Sequence, residues 1–117
     1  MNDDSLSTLT QMIEGSVASN DRVYAFDRVR DLCRTAPRVI RRARTRLTAP
    51  PDASDDWPAT AEGSLMIDGG LILSAVVTAT TMREAIDLLM TRFRHRLQRL
   101  AEARRDQPIG SFPANAA

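Results

Sequence analysis

The sequence of 117 residues contains no lysine, and all 16 of its basic residues are arginine. The planar guanidinium of arginine can hold two phosphate or carboxylate oxygens at once, whereas lysine offers a compact point charge. With 15 acidic residues the formal net charge is only +1, so the total charge indicates no class of partner. The distribution says more, because the arginines concentrate in two blocks, at positions 34–46 and 92–105.

Cysteine and histidine are almost absent as well. Cys33 is the one cysteine in the sequence, which excludes an intramolecular disulfide and a cysteine-based zinc site and fits a reducing cytoplasm. We expect Cys33 to be a small apolar core residue and not a nucleophile. His95 is the one histidine, and it has no cluster of metal ligands to work with. We therefore expect no metal, no cofactor and no catalytic role for either residue.

The sequence also lacks a long hydrophobic run. No apolar stretch reaches the roughly 20 residues that a membrane helix needs, and the first ten residues do not resemble a signal peptide. The length allows one small domain. Residues 1–7 are polar and predicted to be disordered, and residues 106–117 are predicted to form a flexible tail or the start of a linker. The folded domain is then expected at residues 8–105.

The stretch from Thr80 to Arg105 predicts one long helix. Thr81 and Glu84 form a Thr-x-x-Glu capping box at its start. Apolar residues recur at spacings of three and four, which predicts a stripe that faces the core: Met82, Ile86, Leu89, Phe93, Leu97 and Leu100. Beyond Met90 the other faces turn basic. Such a face is either a solvated helix end or a surface that binds an anionic partner.

Five shorter elements are predicted before this helix. They are strands at 9–14, 38–48, 61–67 and 71–80, and a helix from about residue 20 to 35 with Ala25, Val29 and Leu32 inside and Phe26 and Cys33 beside them. In the second strand, Ala43, Thr45 and Leu47 alternate with arginines, which predicts one buried and one basic, wet face. Asp68-Gly69-Gly70 is a tight hairpin turn.

The predicted order is therefore β-α-β-β-β-α. Such an order favours an α+β fold in which a four-stranded antiparallel sheet has one wet face and carries both helices on the other face. This arrangement buries the apolar stripes of both helices at once.

The sequence resembles a known protein family in its element order and in several motifs. The element order and the alternating strand after the hairpin are similar to those of the ribosome hibernation-promoting factors, which include protein Y. Two motifs are also similar: Ile67-Asp68-Gly69-Gly70 and Met82-Arg83-Glu84-Ala85-Ile86-Asp87-Leu88-Leu89. Arg44-Thr45-Arg46-Leu47-Thr48 and the arginine-rich 92–100 segment resemble the actinobacterial branch. The resemblance spans roughly residues 9–105. It implies a non-enzymatic domain that binds the small ribosomal subunit near the decoding region, blocks the mRNA and tRNA path and silences translation under stress.

The resemblance also implies which residues contact the 16S rRNA of the small subunit. We expect neither a membrane nor a small-molecule substrate as a partner. These are basic residues on the two helices: Arg92, His95, Arg96 and Arg99 on the second helix, and Arg28, Arg22 and Arg34 on the first. The first helix here also carries Asp21, Asp27 and Asp31, so its face is less positive than the family pattern. Whether Arg28 and the second-helix residues converge into one positive surface is the feature that decides between the functions.

Two other functions stay open at this stage. One is a protein-interaction or regulatory module of the same fold that has lost RNA binding, with the acidic first helix serving a protein partner. The other is a small enzyme, although turn and capping roles explain the acids Asp68, Glu84 and Asp87, and no partner base is evident.

Two further features allow more than one interpretation. Arg42, Arg44 and Arg46 form either a charged sheet face that opposes aggregation, which we prefer, or an RNA surface. Trp57 either pins its loop to the domain, which we also prefer, or stacks on a base.

Overall fold

The computed structural model describes residues 8–14, 17–49 and 58–106. Its elements are β1 (Thr8–Glu14), α1 (Ser19–Thr35), β2 (Ile40–Thr48), β3 (Ala59–Ile67), β4 (Ile72–Ala79) and α2 (Met82–Asp106). The predicted α+β fold and the order β-α-β-β-β-α are confirmed. The predictions for residues 1–7, for 107–117 and for Trp57 lie outside the described residues.

The four strands form one sheet in the order β1-β2-β3-β4. Strands β2, β3 and β4 make the expected antiparallel meander. Strand β1, however, pairs with β2 in parallel, with Thr8 opposite Arg42 and Glu14 opposite Thr48. The prediction of an entirely antiparallel sheet is therefore wrong. The reason is that α1 crosses over the sheet between the two strands, so the chain enters β2 from the same end as β1.

The hairpin between β3 and β4 depends on two glycines. Gly69 and Gly70 have φ angles of +101° and +92°, a region that glycine adopts without the steric cost of a Cβ atom. The amide of Gly70 donates to the carbonyl of Ile67 at 2.9 Å, and the amide of Ile67 donates to the carbonyl of Leu71 at 2.7 Å. The predicted tight turn is confirmed.

Both helices lie on one face of the sheet and close the core with it. In β2, Ala43, Thr45 and Leu47 are buried under the helices while Arg42 and Arg44 are exposed on the other face, as the alternation predicted. The α2 stripe is buried from Met82 to Leu97, and its last member, Leu100, is half-buried. The uncovered side of the sheet is called the open face below.

The inner side of α1 is formed by Ala25, Val29, Leu32 and Cys33, all of them buried. The sequence pattern predicted that Phe26 lies beside these residues, but in the structure it is 38% exposed. It follows Ala25 by one position, which turns its side chain about 100° away around the helix. Its ring lies under the guanidinium of Arg30, with 5.9 Å from that group to the ring centroid.

A glycine sets how closely α2 approaches the sheet. Gly63 of β3 is buried beneath the ring of Phe93, which is itself fully buried. A Cβ atom at position 63 would lie only 2.9 Å from Cε2 of that ring. Any side chain there would push Phe93, and α2 with it, away from the sheet. The amide of Glu84 donates to Oγ1 of Thr81 at 3.2 Å, one of the two bonds of the predicted capping box, and so fixes where α2 begins.

Replacement of Leu89 by alanine should lower the free energy of unfolding by about 2–5 kcal/mol, because it removes a side chain that is 1% exposed and leaves a cavity. Chemical denaturation measures this loss. Leu88→Ala is the matched control, since its neighbouring side chain is 48% exposed and its removal should cost less than about 0.5 kcal/mol. Equal effects of the two substitutions would mean that the buried stripe is misassigned.

Gly63→Ala should destabilise the domain by about 1–3 kcal/mol through overpacking against Phe93. A double-mutant cycle with Phe93→Leu separates this contact from the general effect of the methyl group. In the Phe93→Leu background the added methyl group should cost clearly less, because the ring that it meets is gone. Additive costs would contradict the proposed close contact.

Candidate nucleic-acid interface

Two arginines of α2 are fixed to the last strand of the sheet. Nη1 of Arg92 donates to the carbonyl oxygen of Val76 at 3.3 Å, and Nη1 of Arg96 donates to the carbonyl oxygen of Ser74. Strand β4 has β3 as its one neighbour in the sheet, so these bonds lie along its free edge. Both side chains are exposed, and each guanidinium keeps further N–H donors that point elsewhere.

Arg99 and His95 continue the same surface. Arg92, Arg96 and Arg99 follow one another at spacings of four and three, so they share one side of the helix, as predicted. With His95 they line an open depression of about 600 Å³ along α2, whose other lining residues are Leu88, Thr91, Gln98 and Glu102. We call the surface of Arg92, His95, Arg96 and Arg99 the α2 flank. It carries three permanent positive charges against the single carboxylate of Glu102.

Arg28 takes a different position, between the two helices. Its Nε lies 3.6 Å from Oδ1 of Asp87 on α2, and its side chain is 30% exposed. The hydroxyl of Tyr24 donates to the same carboxylate oxygen. The charge of Arg28 is therefore partly offset by an acid, and its side chain is directed towards α2 and not towards solvent.

The other two candidates on α1 lie on further sides of that helix. Arg22 donates to Oγ of Ser19 at 3.1 Å, and its carbonyl accepts a bond from Nε2 of Gln11 at 3.1 Å, which places it on the β1 side. Arg34 is exposed in the last turn, where a positive charge suits the helix dipole. Arg22, Arg28 and Arg34 thus do not form one cluster.

The basic residues of the two helices also do not merge. Arg28 reaches Asp87 on the side of α2 that faces α1. Arg92 and Arg96 reach β4 on the opposite side, so α2 itself lies between the two groups. The structure therefore brings together the four predicted residues of α2 and leaves the three predicted residues of α1 apart from them.

A polar network joins the helices, and the sequence did not reveal it. Arg83 of α2 lies 3.3 Å from Oδ1 of Asp21 on α1, and its guanidinium lies 4.0 Å from the centroid of the Tyr24 ring. Asp87 does not serve the capping or turn role expected from the sequence but accepts from Tyr24 and pairs with Arg28. These partners are 59 to 63 positions apart in the chain, and no local pattern connects them.

The network changes the chemistry of Tyr24. The hydrogen bond to Asp87 is the largest cause that raises the pKa of Tyr24 above its ordinary value of 10.0, with burial and the charge of Asp87 adding to it. The neighbouring charges of Arg28 and Arg83 act in the opposite direction. Tyr24 is therefore a protonated hydrogen-bond donor at neutral pH.

Cys33 lies in the core, as predicted. Its side chain is 5% exposed, and burial raises the pKa of the thiol to about 11. A protonated, buried thiol is a poor nucleophile at neutral pH. In the described part of the chain, no group of three or more His, Cys, Asp or Glu side chains could hold a metal ion. Neither described helix is long and apolar enough to cross a membrane.

The fold is shared with solved structures. The N-terminal domain of protein Y from Thermus thermophilus superimposes with a TM-score of 0.59 at 18% identity, over 81% of this chain and 97% of that one. A ribosomal subunit interface protein from Coxiella burnetii superimposes with a TM-score of 0.62 at 13% identity, over 80% of this chain and 98% of that one. No protein-family model and no curated protein matches the sequence. The resemblance found in the sequence is thereby confirmed at the level of the fold.

The pKa shift of Tyr24 gives a test of the network between the helices. Since the pKa is raised in the folded state, the stability it contributes is complete below about pH 10 and is lost as the pH rises beyond that value. Tyr24→Phe should cost about 1 kcal/mol at pH 7 and flatten the loss of stability above pH 10. The thiol of Cys33 titrates in a similar range, so both measurements should be made by denaturation in a Cys33→Ala background. An unchanged alkaline profile would show that Asp87 does not hold the phenol.

Proposed function

We propose that this chain is a non-enzymatic ribosome-binding domain of the hibernation-promoting type. In this proposal it docks on the small subunit near the decoding region and keeps mRNA and tRNA away while translation is silenced under stress. The shared fold with the Thermus protein Y domain and with the Coxiella subunit interface protein supports it. The site of action would be the cytoplasm, where ribosomes translate.

The observation that carries the proposal is the geometry of the α2 flank. Arg92 and Arg96 each use one N–H on a β4 carbonyl, and a guanidinium has five. The remaining donors can take two oxygens of one phosphate, a geometry that arginine favours. Because the carbonyls already restrict these side chains, less rotamer entropy is lost when a ligand binds.

The expected ligand of this flank is the phosphate backbone of 16S rRNA. Contacts from a row of guanidinium groups to phosphates position a protein on RNA and do not read its sequence. Recognition would then depend on the shape of the rRNA groove. Arg28, Arg22 and Arg34 lie apart from this flank, so they would make separate contacts from α1, with a smaller share for Arg28 because Asp87 offsets its charge.

A second candidate function is a protein-interaction module of the same fold. It is favoured by the separation of Arg28 from the α2 flank, because one merged positive surface was the feature expected to decide for RNA binding. It is also favoured by α1, where the exposed apolar residues Val23 and Phe26 lie on the same helix as Asp27 and Asp31. Such a mixed surface suits a protein better than a polyanion. Binding of the domain to isolated small subunits decides between the two functions.

Replacement of Arg92, Arg96 and Arg99 together by alanine should weaken binding to isolated small subunits and reduce its dependence on salt. Each phosphate contact contributes about 0.7 to 0.9 to the slope of log K against log salt, so the slope should flatten by about two to three units. Sedimentation with small subunits across a salt series measures the effect. The fold should survive, because all three side chains are exposed.

The matched control removes Arg30, Arg38 and Arg41, which changes the net charge equally. Arg30 and Arg41 pair with Asp27 and Asp68, and Arg38 donates to the carbonyl of Asp68 at 3.1 Å, much as Arg92 donates to Val76. The control should bind small subunits with nearly the slope of the parent chain. An unchanged slope and affinity in a stably folded α2 variant would remove the α2 flank from the site.

A further inference from the structure

The open face of the sheet carries two adjacent shallow depressions, of about 410 and 120 Å³, which together are called the trough below. They share Arg44 and Ser64 as lining residues. The trough runs from Met12 at one end to Ile72 at the other. At its centre are the small side chains of Ser64 and Ser74, which lie opposite each other in the β3–β4 pair.

The charges along this trough are unevenly distributed. Arg46 pairs with Glu14 at 3.3 Å and lies opposite Glu62 in the register of β2 and β3, so both acids flank the same arginine. Arg42 and Arg44 are exposed, and no described carboxylate lies within 4.0 Å of either. One end of the trough is therefore neutralised by its own acids, and the other end carries two positive charges that no carboxylate of the described residues offsets.

The positions of these two arginines fit a polyanion. Alternate residues of a strand lie about 6.8 Å apart and point to the same face. That distance is comparable to the separation of successive phosphates along an extended nucleic-acid strand. Met66 and Ile72 lie beside Arg42 and Arg44 in the same trough, and the side chain of Ile72 is 56% exposed. Apolar surface next to phosphate-binding groups can pack against bases that are not paired.

We propose that the open face is a second nucleic-acid surface, which takes an extended single strand of RNA along β2. Arg42 and Arg44 hold successive phosphates, and Met66 and Ile72 pack against the bases. The hydroxyls of Ser64 and Ser74 can bond to sugar or base edges. The choice of RNA rests on the proposed function, but the surface uses other arginines than the α2 flank, since Arg42 and Arg44 lie on β2 and the two surfaces meet only at Ser74 and Val76 of β4.

A second copy of the chain fits this face less well than RNA. Stacking two open faces around a two-fold axis would bring the uncompensated arginines of both copies onto one interface, and like charges disfavour such contacts. An RNA strand brings the opposite charge to the same positions. The domain would then contact RNA on both layers and lie between two strands.

The test uses the full chain and a fluorescently labelled oligouridine of ten nucleotides. Each phosphate contact on a single strand contributes about 0.7 to the slope of log K against log salt. Replacing both Arg42 and Arg44 by alanine should therefore flatten that slope by about 1.4. The parent chain and this double variant should bind equally near 1 M salt, where the electrostatic contribution vanishes. At 0.1 M salt the variant should then bind about 25-fold more weakly than the parent chain. Fluorescence anisotropy measures both quantities. The double variant R42K/R44K keeps the charges and should keep the slope.

The control for charge alone is Arg30→Ala with Arg41→Ala, which removes the same net charge from two arginines that already have acidic partners. It should bind the oligonucleotide nearly as the parent chain does, and thermal melts should show all variants folded. Failure of the parent chain to bind, or equal binding by the folded R42A/R44A variant, would overturn the inference. Self-association that R42A/R44A abolishes would also overturn it and assign the face to a second copy.

The same variants separate this inference from the proposed function. In one outcome the α2 variant no longer binds small subunits, and oligouridine binding does not depend on Arg42 and Arg44. This outcome would support the α2 flank and contradict the proposal for the open face. Oligouridine binding that depends on Arg42 and Arg44, without any affinity for small subunits, would support the open face and contradict the ribosomal role.

Discussion

The packing of Phe93 on Gly63 is the contact on which the candidate site depends. Because position 63 has no side chain, the ring sits directly on β3 and draws α2 close to the sheet. Arg92 precedes Phe93 by one position and Arg96 follows it by three, so the depth of the ring sets how far both arginines lie from β4. At that depth they bond to the carbonyls of Val76 and Ser74. A core contact thus determines the geometry of a surface that would bind RNA.

Features with a local cause could be predicted from the sequence. The alternation of β2, the stripe of α2, the glycine hairpin and the cap of α2 at Thr81 each depend on residues a few positions apart, and the structure confirms all four. The parallel pairing of β1 could not be predicted in this way. It follows from the crossover of α1, and β1 itself is a short strand with a weak pattern.

In the candidate site, too, the features with a local cause were predictable and those that depend on distant residues were not. The grouping of Arg92, Arg96 and Arg99 follows from helical spacing and was predictable. The separation of Arg28 from them was not, because it depends on which side of α2 faces α1 and on an acid 59 positions away. Counting basic residues along a helix does not reveal such a partner. The close approach of Gly63 to Phe93 also joins two distant segments, and a lone glycine within a strand indicates it only in general terms.

The absence of lysine has a structural consequence at the edge of β4. A free edge strand offers unpaired carbonyls and amides to other chains, and proteins commonly protect such edges with charged side chains. Arg92 and Arg96 provide this protection through their bonds to β4. A guanidinium can keep that bond and still present a fork of N–H donors to a phosphate, because its five donors point in several directions. The ammonium of lysine carries its three donors on one nitrogen, so a lysine bonded to the carbonyl could not also present a planar fork to a phosphate. Arginine at these two positions would therefore allow one side chain to protect the sheet edge and, in the proposed function, to hold a phosphate at the same time.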